Sequence, residues 1–568
     1  MDRLLIAQKQ KALAEKAVGD PTYTFQNLYD LLHWDKWLHR AAESVLARPG
    51  SDTAGVDGTT RDYFKAHADR LLEELRLDLK EHRFEPLPVR RTYIPKANGK
   101  KRPLGIPALR DRIVQEAMRM ALDPIYESDF QPYSFGFRKG RCTMDAIAVL
   151  MPLFNGSLKH YYVIEGDLKS YFDTVNHRKL LSLLKRRISD RKLLDLIWKF
   201  LKAGVMEGSL FARSEAGVPQ GGIISPLLAN VYLNEFDKWA EARWHRRTAL
   251  ERQRIRYGGG GNYVMVRYAD DFVVATNDTI EGARQAKADI KAFLEEDLHL
   301  TLSEEKTLIT HVNDGFDFLG FNIRRVRPEG RWVVHLRPKV ESVERVKARL
   351  KEITSRRFVL TDEATQLSSL NALVRGWCQY YRHTSLHRDL EQISRYAWHR
   401  HHIWLRKKHK GSRKQQLIRD KTQVVHGRTR WTATVTEGGK RFTVHQWLPS
   451  PTELKRTRYK QKGRTGFAHP YLFEADPVSV AEPKGEVDVP EAVFRVRGHG
   501  DGRHEDPAAW RETKLRVKLR DDFACVRCGS REDLAVHGRR GRKSKGLAEY
   551  ETLCRRCHHA AHGMTWRA

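Results

Sequence analysis

The chain has 568 residues, with 103 Lys and Arg against 71 Asp and Glu, a formal net charge of +32 and a sequence pI near 9.9. That length predicts roughly three to four domains, and a 40% hydrophobic content with 13 Trp, 19 Tyr and 22 Phe excludes wholesale disorder. No run approaches the roughly 18 consecutive apolar residues of a membrane span, the N-terminus lacks the long apolar segment of a secretory signal, and six Cys are too few for a disulfide scaffold. A reducing cytoplasm and no membrane association are therefore expected.

In chain order, residues 1–48 read as helical up to the break at Arg48-Pro49-Gly50-Ser51. Residues 60–82 read as one amphipathic helix, with Leu71, Leu72, Leu75 and Leu79 at helical spacing. Two strands between Val89 and Pro107 flank a turn at Ala97-Asn98-Gly99-Lys100. A helix is expected over 109–122, a short strand at Tyr161–Ile164, a helical region over 177–203 and another helix near 226–246. Gly258–Gly261 reads as a flexible linker before two apolar strand-like runs, Tyr263–Val266 and Phe272–Ala275. From 340 to 420 the pattern is helical and basic, 430–450 carries β-type residues, and the Pro- and acid-rich 476–510 reads as a linker. The mixture predicts a multidomain α+β protein.

The positive charge is uneven. Residues 401–420 hold seven Lys or Arg, with Trp398, Trp404, His399, His401 and His402 in or beside them. Cations mixed with aromatics suit phosphate contacts and stacking on bases, so a nucleic acid is the expected partner.

Asp270 and Asp271 lie side by side between two apolar runs, and Asp167 follows a third. Adjacent carboxylates at a tight turn are unfavourable unless a cation neutralises them. Mg²⁺ prefers such oxygen ligands, and strands lying side by side would bring Asp167 close to Asp270, so that three carboxylates hold two Mg²⁺ for phosphoryl transfer.

The surrounding blocks sharpen this. They run Arg91–Lys96, Lys101–Pro107, Ser134–Arg138, Glu165–Asp173, Gly217–Pro226, Arg267–Asp271, Leu302–Thr307 and Phe318–Phe321. In this order they closely resemble the motifs of a reverse transcriptase of the group II intron-encoded type, over roughly residues 50–385. Leu370–Tyr381 resembles the thumb, or maturase X, region of the same family. The resemblance implies right-hand polymerase fingers and palm with a helical thumb. It implies catalytic, Mg²⁺-binding Asp167, Asp270 and Asp271. It implies nucleotide contacts from Lys96 and Arg102 to the triphosphate, Phe172 beneath the sugar, and Gln220 near the nascent base pair, its glycine neighbours allowing close backbone approach. Lys306 matches a position at which pyrophosphate protonation has been proposed, although a surface lysine is its commoner meaning.

Near the C-terminus, Cys525-x2-Cys528 and Cys554-x2-Cys557 are spaced as ligands of one tetrahedral Zn²⁺, whereas Cys142 and Cys378 have no such partners and are expected in the core. The string Cys525–Gly563 resembles the small HNH (ββα-metal) nuclease appendage of the same family. That implies a possible second divalent ion at His537, His558 and His562. Gly538 stands where the family has its water-activating His, and residues 538–563 contain no Asn. Zinc and DNA binding with impaired cleavage is therefore expected.

These readings divide the chain into an N-terminal helical extension of the fingers (1–88), fingers and palm (89–338), thumb or maturase X (339–425), a basic DNA-binding region and linker (426–510) and the zinc-binding HNH-like module (511–568). The implied partners are group II intron RNA, target DNA and deoxynucleoside triphosphates, in a bacterial cytoplasm at the nucleoid. Two alternatives stay open in the sequence: a reverse transcriptase of another lineage, and a splicing cofactor with a vestigial polymerase.

Overall fold

The computed structural model describes residues 2–95, 101–155, 158, 160–207, 210–212, 217–218, 221–385, 387–437, 440–449, 454, 459, 467–472, 534–538 and 550–554. The chain divides into two units, the larger holding residues 1–473 and the smaller 491–568.

The N-terminal helical region is three helices, Asp2–Gly19, Tyr29–Leu32 and Asp35–Leu46, interrupted where Asp20-Pro21 breaks the first and Asn27 takes φ 57°. They pack on the helix Leu109–Glu127, which is buried on nearly every side, and Trp37 donates its indole N–H to Ala117 O at 3.0 Å. That helix runs five residues past its expected end despite Pro124. A proline lacks the N–H that would bond Met120 O, and Gln10 Nε2 supplies the missing donor at 2.8 Å.

The single helix expected over 60–82 is two, Arg61–Ala66 and Ala68–Lys80, because His67 leaves helical geometry at φ −125°, ψ 25°. The region 177–203 is likewise two helices, His177–Lys185 and Arg191–Lys202. Asp190 caps the second by accepting from Leu193 N at 3.1 Å, and its other oxygen accepts from Tyr29 N at 2.7 Å. Asp190→Ala is expected to lower stability by about 1–2 kcal/mol, read as a shift in the urea midpoint with an unchanged slope.

The two expected strands pair: Val89–Pro95 runs antiparallel to Lys101–Ile106, from Arg90↔Ile106 to Pro95↔Lys101, and the turn expected at Ala97–Lys100 lies outside the described residues. Its first strand also pairs in parallel with Val205–Glu207. The helix Ser225–Ala240 ends in a wide turn, Glu241–His245. Gly258–Gly261 is preceded by a helix the sequence reading missed, Ala249–Tyr257, closed by reciprocal capping of Thr248 and Glu251.

A four-stranded antiparallel sheet lies at the centre, in the order Tyr263–Tyr268, Asp271–Thr276, Tyr162–Gly166, Ile309–His311. Side chains alternate between its faces. Ile164, Met265, Phe272 and Val274 enter one hydrophobic cluster, and Val163, Val266, Val273 and Ala275 the other. Burial of both faces explains why these strands are continuously apolar.

A second sheet, Phe316–Phe318, Phe321–Val326 and Val333–Pro338, leads into the helices Val340–Ile353, Glu363–Tyr380, His387–Lys408 and Lys414–Lys421. Three antiparallel strands, Thr422–Val425, Arg428–Glu437 and Lys440–His445, follow. Here one expectation is corrected. Trp404, His401 and His402 are buried, and Trp404 packs with Leu405, Leu417 and Trp431. The aromatic stripe is core, because it lies on the helix face that the three-stranded sheet covers. Arg406, Lys407, Lys410, Arg413, Lys414 and Arg419 stay exposed. Cys378 is buried as expected, whereas Cys142 is exposed at the start of the helix Thr143–Phe154.

Downstream, Phe467–Leu472 lies against the helix Leu109–Glu127 and the segment after it. Tyr471 OH donates to Asp123 Oδ2 at 2.6 Å, His469 Nε2 lies 3.0 Å from Ser128 Oγ, and the Phe467 ring meets Phe135 edge-on at 5.7 Å. In the smaller unit, Leu534–Gly538 pairs antiparallel with Tyr550–Cys554. Among the described residues no helix is long and apolar enough to cross a membrane.

Candidate active site

The strands Tyr162–Gly166 and Asp271–Thr276 pair with Gly166 opposite Phe272. One further step in that register sets Asp167 opposite Asp271. Tyr268↔Asp271 closes the neighbouring hairpin, so Ala269 and Asp270 form its turn. Three carboxylates thus converge at one end of two adjacent strands, as the sequence reading required. Ala269 carries the turn at φ 57°, a left-handed conformation that non-glycine residues seldom adopt.

The electrostatics record the crowding. Burial, then the neighbouring carboxylates of Asp270 and Asp167, push the Asp271 carboxyl up to about 6, with Lys306 and Lys339 pulling the other way. Lys306 Nζ donates to Asp167 Oδ2 at 2.6 Å, and that bond holds the ammonium above its usual range. Lys306 therefore belongs to the cluster, although its spacing alone read as an ordinary surface lysine.

Phe172 is buried in the main hydrophobic cluster, edge-on to Tyr171 at 5.4 Å. Its carbonyl accepts from Val218 N at 2.6 Å. Gly217, at φ 92°, passes so close that a Cβ there would lie 2.8 Å from Phe172 O, so only glycine fits. Lys96 and Gln220 lie outside the described residues, and Arg102 is described as a strand position opposite Ile94. Cys525, Cys528, Cys557, His558 and His562 also lie outside them. Cys554 and His537 occupy paired strand positions, opposite Leu534 and Glu551.

Among the described residues, no group of three or more His, Cys, Asp or Glu side chains is assembled as a metal centre. The donor set of Asp167, Asp270 and Asp271 nonetheless fits hard divalent ions: all ligands are carboxylate oxygens, and their mutual repulsion is what a cation relieves. Because a ligand must shed its proton to bind metal, Mg²⁺ affinity is expected to fall about tenfold per pH unit below about 6. Calorimetric titration across pH 5–8 (a range spanning about 6) would show this, and Asp271→Asn should flatten the profile.

Residues 94–323 match the family model for reverse transcriptase (RNA-dependent DNA polymerase), and residues 343–422 match that for the group II intron maturase-specific domain. The protein YkfC of Escherichia coli is 44% identical over 341 residues, covering 57% of this chain and 90% of that protein. This chain belongs to the group II intron-encoded reverse transcriptases. The group II intron-encoded protein LtrA of Lactococcus lactis is 35% identical over 352 residues, 54% of this chain and 58% of its own length, so the chain spans just over half of that relative. A nuclear intron maturase of Arabidopsis thaliana is 34% identical over 173 residues, covering 23% of each chain. Reverse transcriptase domains use divalent ions such as Mg²⁺, which agrees with the all-oxygen cluster. The maturase match answers one open alternative, a reverse transcriptase of another lineage.

Proposed function

We propose that this group II intron-encoded reverse transcriptase binds its parent intron RNA, assists splicing, and copies that RNA into DNA from a 3′-hydroxyl at a DNA target. The convergence of Asp167 with Asp270 and Asp271 is the observation that supports it most. Bound Mg²⁺ would supply activation of the primer hydroxyl and neutralisation of the leaving pyrophosphate. The chain's own residues do the rest. Asp167, Asp270 and Asp271 hold the ions, Lys96 and Arg102 grip the triphosphate, Phe172 limits room at the sugar 2′ position, and Gln220 supports the nascent pair. Lys306, bonded to Asp167, would offer a cation to the departing pyrophosphate. The exposed basic side chains of 406–419 extend the RNA- and DNA-binding surface.

The C-terminal module would bind one Zn²⁺ through Cys525, Cys528, Cys554 and Cys557, and DNA beside it. With Gly538 in place of a general base, bottom-strand nicking is expected to be about 10²–10⁴-fold slower than with an intact base. Robust nicking that disappears in His562→Ala would overturn that expectation.

The decisive experiment for the main reading is purification of the protein with its bound nucleic acid, followed by primer extension on an RNA template. A co-purifying intron RNA and templated extension are expected. RNA binding without extension would favour the splicing cofactor with a vestigial polymerase.

A further inference from the structure

Two residues before Ala269, Arg267 is only 1% exposed, at the end of the strand Tyr263–Tyr268. A guanidinium offers five N–H donors and stays charged at any working pH. All five are matched. Nε donates to Asp237 Oδ1 at 2.7 Å, Nη2 to Asp237 Oδ2 and to Ser134 Oγ at 2.7 Å, and Nη1 to Asn230 Oδ1 at 3.2 Å and to Ala269 O at 2.7 Å.

The acceptors come from three directions. Asn230 and Asp237 are seven residues apart, two turns along the buried helix Ser225–Ala240. Ser134 begins the segment beneath the hairpin, and Ala269 is the left-handed residue of the turn itself. The segment below is tied in as well: Asn230 Nδ2 donates to Gly136 O at 2.8 Å, and Phe135 N to Arg267 O at 2.9 Å. A Cβ at Gly136 would stand 2.2 Å from Ala269 N, so backbone lies directly on backbone there.

A buried ion pair is a poor choice if stability is all that is wanted, since apolar residues of similar volume often do as well. A bidentate fork does what apolar packing cannot, which is to fix direction. Here the fork is locked onto Asp237 by two bonds and reaches one carbonyl in the turn that bears the carboxylates.

We infer that Arg267, clamped by Asp237 and Asn230, is the positioning residue of the polymerase site: it fixes the Ala269 carbonyl and thereby aims the carboxylates of Asp270 and Asp271. The inference rests on the polymerase reading above. Outer partners of this kind typically change metal affinity or activity by about 10- to 100-fold.

The test uses the full-length protein and its Arg267→Lys variant, which keeps the charge but loses the fork. Primer extension is followed against Mg²⁺ concentration, Mn²⁺ affinity by its EPR signal, and primer–template binding by anisotropy. Expected are extension about 10- to 100-fold slower, weaker Mn²⁺ binding by a similar factor, partial rescue at high Mn²⁺, and primer–template affinity within about twofold of wild type. Unchanged extension and Mn²⁺ affinity would overturn the inference. So would a loss of activity that tracks a loss of primer–template binding, since that is a scaffold role.

Should Arg267→Lys fail to fold, Asn230→Ala decides, because it leaves the Arg267–Asp237 pair in place. Removing one hydrogen bond on each side should weaken Mn²⁺ binding about two- to tenfold, and no change would overturn the inference. Wild-type protein that extends no primer would count against the polymerase reading, and the Mn²⁺ affinities would then decide the inference alone.

Discussion

RNA-templated primer extension is expected to fall by on the order of 10³-fold or more when Asp270 is replaced by alanine. Asp270 sits in the two-residue turn between Tyr268 and Asp271, next to the strand that delivers Asp167. Removing one of three converging carboxylates relieves repulsion in the metal-free protein, so the variant should fold at least as well as the wild type. It also removes a ligand from a site whose chemistry is electrostatic throughout. Primer–template binding, which draws on the +32 chain as a whole, should change little. The comparison is single-turnover extension with matched primer–template affinities. Residual extension within about tenfold of wild type would remove Asp270 from the site, because loss of a metal ligand cannot cost so little.

The largest effect on stability is expected at Arg138. Its guanidinium lies against Glu127, with Nη2 to Oε1 at 2.6 Å, and donates to the carbonyls of Gln131 and Ser134 at 2.7 and 2.8 Å. Both charged side chains are buried. Arg138→Ala leaves the buried Glu127 carboxylate without its bidentate partner, a change that typically costs about 3–5 kcal/mol. Urea unfolding followed by tryptophan fluorescence would measure it. Burial already holds the Glu127 carboxyl above its ordinary 4.5, against the pull of Arg138 and Arg141. Without Arg138 it should rise further. A carboxyl raised in the folded state destabilises that state as pH climbs above its unfolded value, so the gap between variant and wild type should widen as pH rises through the wild-type folded value, which lies above 4.5, towards the higher value of the variant. A gap that is constant with pH would mean the loss is one of packing alone.

The central strands were legible because their apolar runs are short, bounded by turn residues and rich in Val, Ile and Phe. The approach of Asp167 to Asp270 was legible from two apolar runs that end in acidic residues, and register then set Asp167 opposite Asp271. What stayed hidden depends on partners far away in the chain. Trp404 and His401 read as a stacking surface because nothing local shows that Trp431 covers them. Arg267 read as one letter of a motif; its meaning lies with Asp237, Asn230 and Ser134. Lys306 needed the position of Asp167 before its ammonium had a partner. The helix Ala249–Tyr257 is different. Its start is written in the Thr248 and Glu251 capping pair, while its end merges into the glycine run at Gly258.

The contacts of Phe467–Leu472 bear on how far the enzyme can be trimmed. The family matches end at residue 422, yet Phe135, on whose neighbour Gly136 the Ala269–Asp270 turn rests, meets Phe467 from outside that boundary. Asp123 and Ser128 likewise take partners there, at Tyr471 and His469. A protein cut at the edge of its recognisable domains would bare part of its own interior, so a chain ending at residue 422 is expected to unfold more readily than one that keeps Phe467–Leu472.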